Sequence, residues 1–525
     1  MKFRKLLPLV LTVACLLTAC TYTPKEGPVT EQENTPVTQA NGSSVVLSDD
    51  GITIDGKPVS DDIGAAVYTA NDIVYYESGK SFAYGEGSEN DAHTPEEAAA
   101  HTVVHITKPG TYTLSGKLSL GQIAVDLGKD AKKDPCAVVT LILNGVDITC
   151  KVAPAVIFYN VYECGSSDTE TATKDVDTSA AGANVIIADD TVNVVNGSYV
   201  ARIYKPDSVV LNESQTKVED AKKLHKYDGA FYSKMSMNLY GGDDNSGVLN
   251  IYAENEGLDS ELHLTIHGGN IQILSGNDGI NTNEDGISVT TVNGGNLTIQ
   301  VTGNTGEGDG IDSNGWLVIN GGTVMAQACS DSADAGIDSD MGIHINGGMV
   351  IASGHMLDRI EDGGQNYAVF NFSQQQPGGE TISMKDKDGN NVFAVCPENA
   401  FSVLVYSSPD LEETTCTLWQ GNTQLAGQSG NMMGGMMGNM DRPDRPEDMQ
   451  IPEGQMPPNG QMNGDFTPPE GEMPDSFAPP EGESFPQRPQ GGKPGGFEKP
   501  DQAERSPDFV IRNGGNMFSG ISEYK

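Results

Sequence analysis

The sequence predicts an all-β fold, a right-handed parallel β-helix, on three observations. A Gly-Gly marker recurs at Tyr240, His267, Asn293, Asn320 and Asn346, each followed by two glycines, with steps of 27, 26, 27 and 26 residues. Apolar residues keep a fixed offset from each marker and alternate with polar ones. Between Met235 and Asp358 there is no lysine or arginine, yet there are seventeen acidic residues. A fixed period of this length means stacked supersecondary units, and the absence of basic residues means that the stacking carries a charge to be neutralised.

The strands follow from the offsets. One residue before each marker stand Leu239, Ile266, Val292, Ile319 and Ile345, and two residues earlier Met237, Leu264, Thr290, Leu317 and Ile343. Past the last four markers come Ile271, Leu297, Val324 and Val350. Period two with β-branched filling reads as strand, turn, strand. A second marker completes each cycle: Gly257-Leu-Asp-Ser, Gly279-Ile-Asn-Thr, Gly310-Ile-Asp-Ser and Gly336-Ile-Asp-Ser, each with one apolar residue inward and one acid or amide outward. Each unit therefore has at least three sides. No 3.6-residue periodicity is present and no room remains for a crossover helix, so parallel stacking of coils is the economical solution.

Stacked coils place equivalent residues about 4.8 Å apart. Two carboxylates at that distance repel by about 0.9 kcal/mol in water and about 3.5 kcal/mol at an effective dielectric of 20, with no cation of the chain's own in the repeats. Calcium takes carboxylate and carbonyl oxygens at about 2.3 to 2.6 Å, so oxygens on opposite sides of the ion lie about one coil spacing apart. The expected ligands are drawn from Asp259, Asp278, Asn281, Asn283, Asp285, Asp309, Asp312, Asp334, Asp338 and Asp340, against the alternative of solvated turn acids. Asn281-Thr-Asn283-Glu-Asp285-Gly286 has the alternate spacing that opens an EF-hand loop, but position twelve is Val292 and strand residues follow, so the match stops at an oxygen-rich turn. In Lys385-Asp-Lys-Asp-Gly-Asn-Asn391, Asp388-Gly389 reads as a hairpin turn.

The ends divide the chain further. Met1-Lys-Phe-Arg-Lys and the apolar run Leu6 to Ala19 read as a secretory signal over 1–19, too short to span a bilayer comfortably. Leu17-Thr-Ala-Cys20 resembles a bacterial lipobox, with Cys20 as the lipidated first residue of a flexible Thr-, Pro- and Glu-rich linker over 20–45. This places the folded part on the extracellular face of the membrane, anchored through Cys20. The β-helix is expected over 46–426, a Met-, Gly-, Pro- and Glu-rich segment that should not pack over 427–506, and a terminal strand returning to the β-helix over 507–525.

Loss of 1–19 removes Lys2, Arg4 and Lys5 and moves the formal charge from -42 to -45, which makes nucleic acid an improbable partner. Beyond Cys15 and Cys20, the cysteines Cys136, Cys150, Cys164, Cys329, Cys396 and Cys416 fit no zinc motif; disulfides and small apolar fillers both remain open.

Two stretches carry a family resemblance. The first is Ile106-Thr-Lys-Pro-Gly-Thr-Tyr-Thr-Leu-Ser-Gly116 with Gly121-Gln-Ile-Ala-Val and Val139-Thr-Leu-Ile-Leu-Asn-Gly-Val-Asp-Ile148; the second is the repeat, entered through Asp228-Gly-Ala-Phe-Tyr-Ser233. Over roughly 46 to 425 the chain resembles a bacterial carbohydrate-binding family whose best-known member is a clostridial surface protein that binds polygalacturonate and cellulose. The resemblance implies a pectate-lyase-like solenoid, several calcium ions and affinity for acidic plant polysaccharide. The family often places an acidic pair after that serine, whereas Lys234-Met-Ser-Met follows here.

A binding module is the expected function, with Ca²⁺ as cofactor, acidic polysaccharide as partner and a monomeric state. A lyase of this fold needs a cationic base, which the coils lack; Arg202 precedes them and Arg359 follows. A hydrolase would use grouped aspartates. A structural adhesin is the third class. Trp316 stands on the outward parity of its strand and is a candidate to stack on a sugar face.

Overall fold

The computed structural model describes residues 42–165, 167–430 and 505–525. Cys20, the signal segment, and nearly all of the linker and of the Met-rich segment lie outside the described residues.

The marker repeat forms because glycine alone fits its turn. Gly295 and Gly322 have φ of +83° and +81°, and a Cβ on them would stand 2.5 Å from the Gly269 carbonyl oxygen and 2.6 Å from that of Gly295. Each turn thus sits on the backbone of the turn before it, in a conformation that L side chains avoid. Beside the glycines the marker asparagines join hands along the stack: Asn320 Nδ2 donates to Asn293 Oδ1 at 2.9 Å and Asn346 Nδ2 to Asn320 Oδ1 at 2.8 Å.

Three parallel ladders run from this register. The first joins Met237–Gly241, Leu264–Ile266, Val289–Val292, Trp316–Ile319 and Gly342–Ile345. The second joins Val192–Gly197, Val248–Ala253, Asn270–Ser275, Asn296–Val301, Thr323–Gln327 and Met349–Gly354. The third joins Val156–Asn160, Gly229–Ser233, Glu256–Ser260, Ile280–Thr282 and Ile311–Ser313, continued by a parallel bridge from Ile311 to Ile337. Their inward residues, among them Leu239, Ile266, Ile319, Ile273, Ile299, Leu258, Ile280 and Ile311, are almost wholly buried in one core. At about 25 cal/mol per Å² of apolar area, this row-on-row burial is the main stabilising term.

Among the described residues the fold is all-β, with one five-residue α-helix at Pro95–Ala99 and two short 3₁₀ turns. It is not purely parallel: the largest sheet mixes orientations, and the sheets are open. Antiparallel pairs precede the repeats, as where Ser43–Leu47 lies against Thr53–Ile54, and follow the last one, where Phe401–Ser407 lies against Met349–Gly354 and Tyr367–Gln376. The terminal strands join this second unit: Gly515–Glu523 pairs with Tyr367–Gln376 and Thr423–Gly430, and Asp508–Ile511 with Thr414–Gln420. Its own core, rich in Phe370, Phe393, Phe401, Phe509 and Phe518, packs on Met325 and Met349. Strands Ile382–Lys385 and Asn391–Val395 form a hairpin, with Gly389 N–H donating to Asp386 O at 3.0 Å across the turn.

The described cysteines are all unpaired thiols, with Cys150, Cys329 and Cys416 buried as fillers.

Gly295→Ala is expected to cost about 2 to 4 kcal/mol, combining left-handed strain with a backbone clash. Gly389→Ala, at φ +84° with open space around it, should cost only about 1 kcal/mol. Equal losses in urea unfolding would show that the stack is not close-packed.

Candidate metal centre

The third ladder turns the short marker into a chemical site. Glu256 and Asp259 stand on one strand and Asn281 on the next, with Asp259 in register with Asn281 and Asn281 with Asp312. An antiparallel insertion, Val200–Tyr204 against Lys223–Tyr227, leads into the third ladder and delivers Lys226 and Asp228 to its edge. Tyr227 is seated there by ring contacts to Tyr159 and Tyr232 at 5.6 and 5.1 Å between centroids.

Asp228, Glu256 and Asp259 form a buried carboxylate group, each offering an oxygen within 4.8 Å of the others. Asn281 Nδ2 donates to Glu256 Oε1 at 3.2 Å, and Asn283 Nδ2 to Asp259 Oδ1 at 2.5 Å. Glu256 Oε2, Asp259 Oδ2 and Asn281 Oδ1 are buried without a hydrogen-bond partner. A buried polar atom left unpaired costs about 1 to 3 kcal/mol, and more when charged. Three such oxygens on two adjacent strands, all acceptors and none with a donor, are the chemistry of a hard-cation site.

The sequence placed no cation of the chain's own beside these acids; the structure corrects this. Lys226 Nζ lies 2.5 Å from Asp228 Oδ2. Burial pulls the Lys226 ammonium down, but Asp228, Glu256 and Asp259 outweigh it and hold the group above the ordinary lysine value. With all three carboxylates ionised, one ammonium leaves two negative charges. Burial first, then the charges of Asp259 and Asp228, pushes the Glu256 carboxyl well above the usual range. The same holds for Asp259, through burial and then Asp228 and Glu261.

The remaining predicted residues divide. Asp278 Oδ1 accepts the Asp309 backbone N–H at 2.7 Å, Asp309 Oδ1 that of Ala335 at 2.5 Å, and Asp334 Oδ2 that of Gly308 at 2.6 Å. Asp278 and Asp309 therefore cap the next turn with one oxygen each, and Asp334 caps the preceding one. Asp312 and Asp338 follow one another along the ladder, with Asp340 and Asp358 close enough to act on them electrostatically. Asp285 is exposed and accepts from Asn314 Nδ2 at 2.9 Å. The run from Asn281 to Asp285 is thus split: its two amides face Glu256 and Asp259, and its aspartate faces the following turn. Trp316 is half-buried at the start of its strand, paired with Val289 and Gly342. Arg202 and Arg359 are tied to Glu86 and Glu361 at 3.2 and 2.6 Å.

Asp228 and Glu256, members of this cluster, were missed in the sequence. Their signal was present, since both precede a glycine as Asp278 and Asp309 do. Lys226 was beyond reach because only the insertion's return brings it to the acids.

Without a bound cation, stability should fall as pH rises. Burial and neighbouring acids raise Asp312 to about 6, Asp338 to about 7 and Asp309 to about 9. The folded chain therefore keeps protons that the unfolded chain releases near about 3.9, and its stability declines from about pH 4 upward. Melting temperature in chelator is expected to drop across this window, and Glu256→Gln to raise it at pH 8. A melting temperature that climbs with pH in chelator, or a lower one in that variant, contradicts the repulsive cluster.

None of the curated proteins matches this chain. Among solved structures, the polysaccharide lyase-like protein from C. thermocellum, determined as a gadolinium derivative, is similar at a TM-score of 0.32 and 21% identity, over 58% of this chain and 83% of that one. A family of carbohydrate-binding domain-containing proteins matches residues 100–174 and 179–368, half of the chain, and takes in all three ladders and the acidic cluster. The chain belongs to the carbohydrate-binding domain-containing family.

Proposed function

We propose that the chain is a non-catalytic surface lipoprotein that binds an acidic plant polysaccharide of the polygalacturonate type through calcium held on a right-handed parallel β-helix. In this reading the three ladders are the faces of the helix, residues 1–19 direct secretion, Cys20 carries the lipid, and 20–45 is the linker that holds a monomeric binding domain off the membrane. The observation that carries it is the set of three buried, unpartnered oxygens on Glu256, Asp259 and Asn281. The residues fit a calcium ion: carboxylates of Asp228, Glu256 and Asp259 and the carbonyl of Asn281 would hold it, and two uncompensated negative charges match its valence. When bound, the ion supplies a positive centre with room for an external carboxylate, so that an acidic protein captures an acidic polymer through a shared cation. Asp312 and Asp338, further along the same ladder, extend the track along which a polymer would lie.

A lyase is the second reading, favoured by Lys226 at the cluster and by Lys234, which lies over the Tyr227 ring. Lys226, held protonated by Asp228, is a poor proton acceptor. Lys234 is the better one, since burial pushes it below the ordinary lysine value.

In affinity electrophoresis polygalacturonate is expected to retard the chain in calcium and not in chelator. Retardation that persists in chelator rules out the shared cation. Absorbance growing near 235 nm on pectate signals an unsaturated product and replaces the binding module with the lyase.

A further inference from the structure

The acidic cluster carries a resident counter-ion beside its unpartnered oxygens. Asp228 sits at the mouth of the cluster with its side chain 10% exposed, and Lys226, whose side chain is 39% exposed, closes over it at 2.5 Å. The Lys226 charge acts on Glu256 and Asp259 as well as on Asp228, so a single ammonium serves the three carboxylates. A divalent ion taking oxygens at about 2.3 to 2.6 Å from all three acids would share the Asp228 carboxylate with Lys226, and would repel the ammonium.

We propose that Lys226 and the divalent cation are alternative counter-ions of Asp228, and that the Lys226 ammonium, displaced to the rim when the cation binds, pairs with a uronate carboxylate of the bound polysaccharide. This rests on the function proposed above and assigns Lys226 as a glycan-binding residue. Three features make the exchange feasible. Lys226 closes the strand Lys223–Tyr227 next to Tyr227, whose ring is fixed against Tyr159 and Tyr232, so its backbone is anchored while its four-carbon stem can swing. Lys223 is engaged elsewhere, on Glu261 at 3.1 Å, and does not compete for Asp228. The repeats themselves contain no lysine or arginine from Met235 to Asp358, and the ammonium that pairs with the cluster is that of Lys226. Cation binding then creates the second anchoring charge as well as the first, and the glycan affinity depends on calcium through both.

The test is calorimetric titration of the full chain with calcium, then with oligogalacturonate at saturating calcium, for wild type, Lys226→Met and Lys226→Arg. In Lys226→Met calcium affinity should rise about tenfold, because a competing charge is gone, while oligogalacturonate affinity falls about tenfold. Lys226→Arg keeps the charge and should stay within about threefold of wild type on both. A purely structural lysine would move the two affinities in the same direction. Calcium affinity in Lys226→Met that is unchanged or weaker overturns the exchange; oligogalacturonate affinity that is unchanged overturns the glycan contact. Melting temperature gives an independent check, since calcium should raise it more in Lys226→Met than in wild type, and a smaller rise overturns the exchange. Failure of the wild-type chain to take up calcium sinks the underlying function and this inference together, whereas failure confined to the variants sinks only the inference.

Discussion

Repulsion between like charges stacked at a strand spacing is the constraint on which this molecule turns. Parallel coils bring equivalent side chains to the same height on neighbouring strands, and the third ladder fills those heights with Glu256, Asp278 and Asp309 in one row and with Asp259, Asn281, Asp312 and Asp338 in the next. The chain moderates the repulsion in three ways. It spends carboxylate oxygens on backbone N–H groups of the adjacent turn, as Asp278 and Asp309 do. It interrupts a row with a neutral amide, Asn281, which separates two aspartates by about two strand spacings. At the edge of the ladder it imports Lys226. None of these meets the needs of Glu256 Oε2, Asp259 Oδ2 and Asn281 Oδ1, and the site is what is left over.

Much of this was legible before any coordinates. The period of the glycine pairs, the alternation around them and the second marker together placed the apolar rows, because stacking demands the same small residue at the same height in every turn. The acids were legible as a group for the same reason. Their division into turn caps and members of the buried cluster was not, since Asp278 and Asp259 occupy equally acidic surroundings in the sequence and differ only in which neighbour's N–H lies within reach. The hidden part came from non-local geometry. The insertion between Val200 and Tyr227 has no period, and nothing in its composition announces that it returns a lysine to the mouth of the cluster.

The antiparallel unit after the last repeat was also illegible as such, for a different reason. Its strands alternate polar and apolar residues like those of the repeats, so pattern alone does not distinguish continuation of the ladder from a separate sheet laid against it. Only pairing partners do: Phe401–Ser407 runs against Met349–Gly354, and the chain's last strand joins Tyr367–Gln376. The result protects the final parallel strand of the second ladder, whose free edge would otherwise template association with another chain.

The glycine turns, each resting on the carbonyl of the turn beneath, make the length of the acidic track a quantised property. An insertion of a few residues within a repeat would push a side chain into a place where only hydrogen fits, whereas duplication of a complete turn leaves every height intact. Such a scaffold can gain or lose recognition length only in whole rungs, so the number of sugar units it measures along a polymer would change in steps, like the notches of a ruler.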